Sequence, residues 1–294
     1  MKLQGFFLIL FALVFAIPLL IGISAFIISG KKNTRSNHTV ALLFHSISAN
    51  RNSHLSHFSP DKFSLFIENI INQKLTTCTL KEAATQYNDA SFSKIVITFD
   101  DAFESFFKYA FPILQTNNVK ITVFPIAGFI GKASDWDVLP KQIHMNKTQL
   151  RTISEHGHEI GSHTMTHSNL TFLSHKDLVM ELKDSKHLLE DLIGKPVTSL
   201  SFPFGSWNAG IWRIAREIGY CQATCYRHHK RIINGLIPVR GIYSFDTISD
   251  VMEKAVPGEG YSNSIARCRI MSHFAKGTPL WNFQKNYILT GKKC

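Results

Sequence analysis

The sequence predicts an α/β fold in which mostly parallel strands close into a barrel or a distorted barrel. Three observations lead there. From residue 40 onward, short apolar runs alternate with segments of helical periodicity, the pattern of repeated βα units. Polar side chains with reactive potential stand where those runs end, at the carboxyl ends of strands, where such folds place their sites. The 294 residues show no internal repeat, low-complexity tract or second domain boundary, so a single large core accounts for the length.

Residues 40–44 read as a buried strand ending at His45. Ser59-Pro60 supplies a cap and first turn for a helix over 61–72, with Phe63, Phe66, Ile67, Ile70 and Ile71 on one face. Residues 94–99 are strand-like, and a helix over 102–115 follows, limited or kinked by Pro112. A strand at 121–125 leads into a long loop over 127–145. A helix at 147–156 is stopped by Gly157, and a short strand at 158–160 leads to two histidines. Leu178, Leu182, Leu188, Leu189 and Leu192 mark a helix over 174–193 that ends at Gly194, with Pro196 beyond. Then come a strand at 197–202, a helix at 209–218 ended by Gly219, and strands at 220–224, 237–240 and 269–271.

The N-terminal end is of a different kind. Residues 6–28 carry no charged side chain, about the length that crosses a bilayer as a helix. An uncleaved anchor is the preferred reading, and a cleaved signal peptide with small residues near Gly22, Ser24 and Ala25 is its competitor. The expected organisation is therefore 1–30 anchor or signal peptide, 31–39 linker, and 40–294 one folded domain. Lys2 upstream and Lys31, Lys32 and Arg35 downstream differ too little in charge to set the topology. The formal charge is +11, with one basic cluster at 227–231, which suits a solvated face near an anionic membrane or acidic polymer. Basic residues interleaved with aromatic platforms are missing, so no nucleic-acid partner is expected. The five cysteines include no Cys-x-x-Cys pair, which argues against a zinc ribbon.

The chemistry concentrates in two short motifs. Asp100-Asp101 closes the run Ile95-Val-Ile-Thr-Phe99, and His163-Thr-Met-Thr-His167 places two imidazoles four residues apart. Asp101, His163 and His167 together offer a divalent metal three ligands of the kinds zinc, cobalt and related ions accept. Successive residues of an extended chain point apart, so Asp100 is expected to stay off the metal and to serve as general base towards water. His273, at the end of Arg269-Ile-Met-Ser-His273, is the candidate proton donor to the leaving group.

Taken in order, Thr98-Phe-Asp-Asp-Ala102, His163-Thr-Met-Thr-His167, Ser201-Phe-Pro-Phe-Gly205 and Ile270-Met-Ser-His273 resemble the successive motifs of the polysaccharide deacetylase family, also called the NodB-homology or carbohydrate esterase 4 family. Leu42-Leu-Phe-His-Ser-Ile47 resembles the first strand of the branch that deacetylates biofilm polysaccharide. The resemblance spans 40–274 and implies a distorted (β/α) barrel with metal-dependent removal of acetyl groups from N-acetylated sugars. It assigns Asp100 as base, His273 as acid, and Asp101, His163 and His167 as metal ligands. It places the Phe204 backbone N–H beside the developing oxyanion, His45 in the pocket, and Arg240 where an arginine can orient the base.

Two departures from the family pattern stand out. Ala102 replaces the usual glycine, a mild change unless the backbone there needs positive φ. Ser201-Phe202 stands where many members carry an arginine, which leaves Arg240 as its expected substitute. The function implied is an envelope-anchored deacetylase whose domain faces outward, with an N-acetylated polysaccharide as partner and oligomeric state open. O-acetyl esters or a cyclic amide are the alternative substrates, and a catalytically weak glycan-binding protein is the alternative class.

Overall fold

The computed structural model describes residues 41–49, 56–85, 94–134, 141–225 and 235–255. The apolar N-terminal run, the linker, the basic cluster, the strand expected at 269–271 and His273 lie outside them. Among the described residues no helix is long and apolar enough to cross a membrane.

Among the described residues there are ten strands and seven α-helices. The strands are β1 (Ala41–Phe44), β2 (Ser46–Ile47), β3 (His57–Phe58), β4 (Thr76–Cys78), β5 (Lys94–Asp101), β6 (Thr122–Pro125), β7 (Glu159–Ile160), β8 (Ser199–Ser201), β9 (Gln222–Cys225) and β10 (Leu236–Gly241). The helices are α1 (Pro60–Asn72), α2 (Leu80–Thr85), α3 (Phe111–Thr116), α4 (Lys147–Glu155), α5 (His175–Ile193), α6 (Ala209–Ile218) and α7 (Ile248–Ala255). Every pairing in the main sheet is parallel, in the order β7-β6-β5-β1-β10-β9-β8, with β4 joining the start of β5. A parallel bridge between Ser162 and Leu200 links the two edges, giving a nearly closed barrel. β2 and β3 form a separate small sheet.

The two faces of the sheet hold different cores. Ala41, Leu43, Val96, Phe124, Ile237 and Val239 pack inside the barrel. Leu42, Phe44, Ile97, Phe99 and Val123 point outward to the helices. Strand periodicity of two sets this partition, and with both faces covered the strands read as continuous apolar runs. On the helix side, Phe44 stacks on Phe99 at 5.2 Å between ring centroids, and Phe63 of α1 meets Phe44 edge-on at 5.6 Å. α1 begins where the Ser59 side chain accepts from the Lys62 amide, and it buries Phe63, Phe66, Ile67 and Ile70. Ile71, expected on the same face, is 43% exposed, because the next residue along a helix turns off a stripe that 66, 67 and 70 already fill.

Closure at the seam requires close approach. A Cβ on Gly161 would lie 2.4 Å from the Phe124 ring and 3.0 Å from the Ser199 carbonyl, so only glycine fits there. Below the seam, the half-buried Glu159 carboxylate receives the Ser199 hydroxyl, the Thr122 hydroxyl at 2.8 Å and the Lys81 amide at 2.9 Å. It thereby ties β6, β7, β8 and α2 together. Burial raises the pKa of Glu159, and these donors oppose the rise.

The helix expected at 102–115 starts later. The chain turns at 102–103, becomes helical at 104–105, runs as a π-helix over Phe106–Ala110 and continues as α3. The delay follows from left-handed backbone at Asp101 and Ala102, which cannot begin a right-handed helix. The loop expected at 127–145 carries a 3-10 turn at Ala127–Phe129 and antiparallel bridges Ala133–Ile143 and Phe103–His144.

β10 is tied to α7 by a fully buried ion pair. Lys254 Nζ lies 2.6 Å from Asp246 Oδ2 and donates to the Gly241 carbonyl at 3.0 Å. Replacing Lys254 with Met leaves a buried carboxylate without its cation and is expected to lower the unfolding free energy by about 3–5 kcal/mol. The Asp246→Asn/Lys254→Met double variant should recover part of that loss. Denaturant titration of the two variants checks both.

Candidate active site

Asp100 and Asp101 end β5 at the carboxyl end of the barrel. Asp100 pairs in register with Phe124, an interior residue, so its side chain enters the barrel by ordinary strand alternation. Alternation alone would send Asp101 outward. Its φ of +66° breaks the extended chain, and Ala102 follows at +55°. Both carboxylates therefore reach the same imidazole, with His163 Nε2 3.8 Å from Asp100 Oδ2 and 3.7 Å from Asp101 Oδ1. The expectation that neighbouring acids point apart gives way to this turn. The departure from glycine at 102 is not mild, because the backbone there is left-handed.

His163 and His167 are carried by the loop after β7. His167 Nε2 lies 3.7 Å from the same Asp101 oxygen, and the three candidate ligand atoms fall within 4.8 Å of one another. Ligands about 2.1 Å from a tetrahedral ion stand roughly 3.4 Å apart, so this buried trio fits one divalent cation after small movements. The donor set agrees: one carboxylate with two imidazoles suits zinc or a similar ion. His163 Nδ1 is 2.9 Å from the Ser201 carbonyl, which makes it the protonated nitrogen and turns the Nε2 lone pair towards the centre. Burial lowers the His163 pKa, against the raising effects of Asp101 and the Ser201 carbonyl.

Asp100 lies beside the trio with one buried oxygen, Oδ1, that has no hydrogen-bond partner among the described residues. Its other oxygen accepts from the Ser201 hydroxyl at 2.8 Å. Burial pushes the Asp100 pKa up from 3.8 to about 6, against the lowering effects of His45 and Ser201. His45 follows directly on β1, whose Phe44 pairs with Phe99, so it stands next to Asp100. Burial lowers its own pKa, which Asp100 opposes and His163 reinforces.

Phe204, in the Pro203–Gly205 turn after β8, has φ of +58° and its ring centroid is 4.6 Å from that of His167. Arg240 is placed differently from the orienting role expected of it. It pairs with Leu42, a helix-facing residue, and its Nη1 donates to the Lys254 carbonyl of α7 at 2.7 Å. Asp100 and Arg240 thus occupy opposite faces of the sheet. The described structure brings together Asp100, Asp101, His45, His163, His167 and Phe204, and leaves Arg240 outside that group.

A pattern for the family described as polysaccharide deacetylase matches residues 87–223, the stretch that contributes Asp100, Asp101, His163, His167 and Phe204. Over that stretch the chain is similar to the polysaccharide deacetylase family. YxkH of Bacillus subtilis (strain 168), whose name places it among polysaccharide deacetylases, is 30% identical over 183 residues, which cover 61% of either chain. The poly-beta-1,6-N-acetyl-D-glucosamine N-deacetylase of Staphylococcus aureus is 27% identical over 150 residues, covering 48% of this chain and 51% of that enzyme. This chain therefore spans less than two thirds of the length of these relatives. Among solved structures, a Streptococcus pyogenes deacetylase, PplD, in complex with acetate superposes with a TM-score of 0.65 at 19% identity. The superposition covers 77% of this chain and all of that one, and it shows the shared deacetylase fold.

Two site neighbours escape sequence reading. Ser201 holds Asp100 through its hydroxyl and His163 through its carbonyl. Its only trace in the sequence is that it stands near where many members of this deacetylase family carry arginine. His144 Nδ1 contacts the Asp101 carbonyl at 2.7 Å, in a ring contact with Phe103 at 4.7 Å. No spacing rule points to a histidine so far along the loop.

Two expectations follow. Ala102→Gly relieves left-handed strain of roughly 1–2 kcal/mol while adding roughly 0.5–1 kcal/mol of unfolded-chain entropy, so stability should stay level or rise slightly. Ala110→Gly, buried in right-handed backbone, should instead lose about 1 kcal/mol, and parallel thermal denaturation separates the two. In protein stripped of divalent ions, the raised Asp100 pKa means the folded state holds that proton more tightly than the unfolded chain. This contribution to stability is full below pH 3.8 and is lost as pH rises through about 6. Asp100→Asn removes the dependence, so at pH 7.5 the stripped variant should be more stable than wild type, by at most roughly 3 kcal/mol. Wild type and variant with identical pH slopes between 4 and 6 would contradict the buried ionised carboxylate.

Proposed function

We propose that this chain is a metal-dependent hydrolase that removes acetyl groups from N-acetylated sugars of a cell-envelope or extracellular polysaccharide. The observation that carries the reading is the fourth side chain. Beside a carboxylate and two imidazoles suited to one cation stands a second buried carboxylate, Asp100, 3.8 Å from His163 Nε2, with one oxygen that no hydrogen bond among the described residues engages. A binding-only metal site has no use for such a group, whereas hydrolysis needs it as general base. The match to the polysaccharide deacetylase family and the likeness to the staphylococcal N-deacetylase support an N-acetylated glycan as substrate.

In this reading Asp101, His163 and His167 hold a divalent ion, zinc, cobalt or a relative. When bound, that ion polarises the acetyl carbonyl and makes water at the site more acidic. Asp100 accepts the proton from the attacking water, held in line by the Ser201 hydroxyl. The Phe204 backbone N–H donates to the oxygen that gains charge, from a turn whose left-handed conformation fixes its direction. His45 lines the pocket beside the base. His273, outside the described residues, returns a proton to the leaving amine. The apolar run at 6–28 would hold this domain at the membrane, facing outward, where an envelope polymer is within reach.

The full chain supplied with zinc should release acetate from oligomeric N-acetylglucosamine, and chelation should stop it. Asp100→Asn should reduce release by about 10²–10⁴-fold while leaving zinc uptake intact. Zinc-loaded protein that releases acetate only from O-acetylated sugars would move the substrate to an ester. Stoichiometric zinc and glycan binding with no release from any acetylated sugar would overturn the hydrolase reading.

A further inference from the structure

The loop between the two metal-site histidines is held by a residue that touches neither of them. Glu181, on α5, receives the backbone amides of Met165 and Thr166, each 2.9 Å from the same oxygen, Oε2. Its other oxygen receives the Thr166 hydroxyl. From the opposite side, the amides of Ala127 and Gly128 donate to the carbonyls of Thr164 and Met165 at 3.0 and 2.9 Å. Between the histidines, the carbonyls of Thr164 and Met165 are therefore fixed by the chain after β6 and the amides of Met165 and Thr166 by α5, while the Thr164 amide donates to Ser162 Oγ. The approach is close enough that a Cβ on Gly128 would lie 2.6 Å from the Met165 carbonyl oxygen.

This loop resists its own conformation. Thr164 has φ of +66° and His167 of +59°, and neither is glycine. Left-handed backbone is unfavourable at such residues, and β-branching makes Thr164 a poor occupant. Without an external restraint the loop would relax and the imidazoles would separate.

We propose that Glu181 is a positioning residue whose carboxylate sets the spacing of His163 and His167 and thereby the affinity of the site for a divalent cation. The inference rests on the metal reading of Asp101, His163 and His167 and adds a determinant to it. The part Glu181 plays is geometric: one oxygen at a fixed distance from two adjacent amides. Charge alone does not supply this.

Zinc affinity of the full chain, measured by competition with a chromophoric chelator, tests the proposal. Glu181→Gln keeps the side-chain length and an acceptor oxygen, and should bind zinc within about threefold of wild type. Glu181→Asp keeps the charge but withdraws the carboxylate by about 1.5 Å, beyond hydrogen-bond reach of both amides. It should weaken zinc binding by about tenfold or more, as loss of an outer support does elsewhere. Lys183→Ala, exposed on the same helix, should leave affinity unchanged. The reverse order, Asp close to wild type and Gln weak, would show an electrostatic effect and overturn the proposal, as would equal affinity in all three Glu181 forms. Wild-type protein that takes up no zinc would overturn the metal reading itself, and the inference with it.

Discussion

The site depends on the contact that closes the barrel. Ser162 donates its amide to the Ser199 carbonyl, and its own carbonyl accepts from the Ser201 amide, joining β8 to the chain leaving β7. The next residue on one side is His163, and on the other side Ser201 presents its carbonyl to His163 and its hydroxyl to Asp100. His163 and Asp100 are thus aligned by the seam itself, and not by loops that fold over afterwards. Gly161 is the steric condition for this arrangement, since any side chain there would push Phe124 away and open the gap. A rigid strand end can hold two side chains to tolerances that a flexible loop cannot, which is the demand that hydrolytic chemistry makes.

Backbone strain gathers around the same place. Among the described residues seven non-glycine positions have positive φ, and five of them are Asp101, Ala102, Thr164, His167 and Phe204. Each does something that regular structure would prevent. Asp101 turns a carboxylate back towards its neighbour's face, Thr164 and His167 fold a five-residue loop so that both imidazoles converge, and Phe204 turns the chain beside His167. Such conformations persist only where surrounding contacts overdetermine them. Here the restraints are visible: Met145 donates to the Ala102 carbonyl, His144 binds the Asp101 carbonyl, and Ala127, Gly128 and Glu181 fix the histidine loop.

That division explains what the sequence could reveal. The barrel was legible because buried parallel strands must be apolar on both faces, and runs such as 95–99 and 121–125 announce themselves. The cluster of Asp101, His163 and His167 was legible as a candidate metal site because that chemistry restricts residue type. Short elements were not: β2, β3 and β4 have two or three residues, too few to show a period, and α2 carries only two buried residues. The partner of Asp100 was misjudged for a reason of parity. Arg240 has the right charge, but its pairing with Leu42 commits it to the helix side of the sheet, and a one-residue offset decides which face a side chain serves. Ser201 has no charge to attract notice, yet it shares a face with the base.

Exchanging a guanidinium for a serine hydroxyl alters the base as well as its alignment. A neighbouring cation would hold the Asp100 carboxyl low, fully ionised but weakly basic. Ser201 contributes one neutral hydrogen bond, and burial is left as the dominant influence, raising the pKa towards 6. A carboxylate in that range is still mostly ionised at neutral pH and accepts a proton more readily than an ordinary one, which favours general-base catalysis. A divalent ion held by Asp101, only one residue away, would pull in the other direction and lower the same pKa. The two effects oppose one another, so a site without the arginine is not thereby a disabled one. In the proposed reading, the positive charge near Asp100 would come from the cation, and the basicity of Asp100 would then depend on whether that cation is bound.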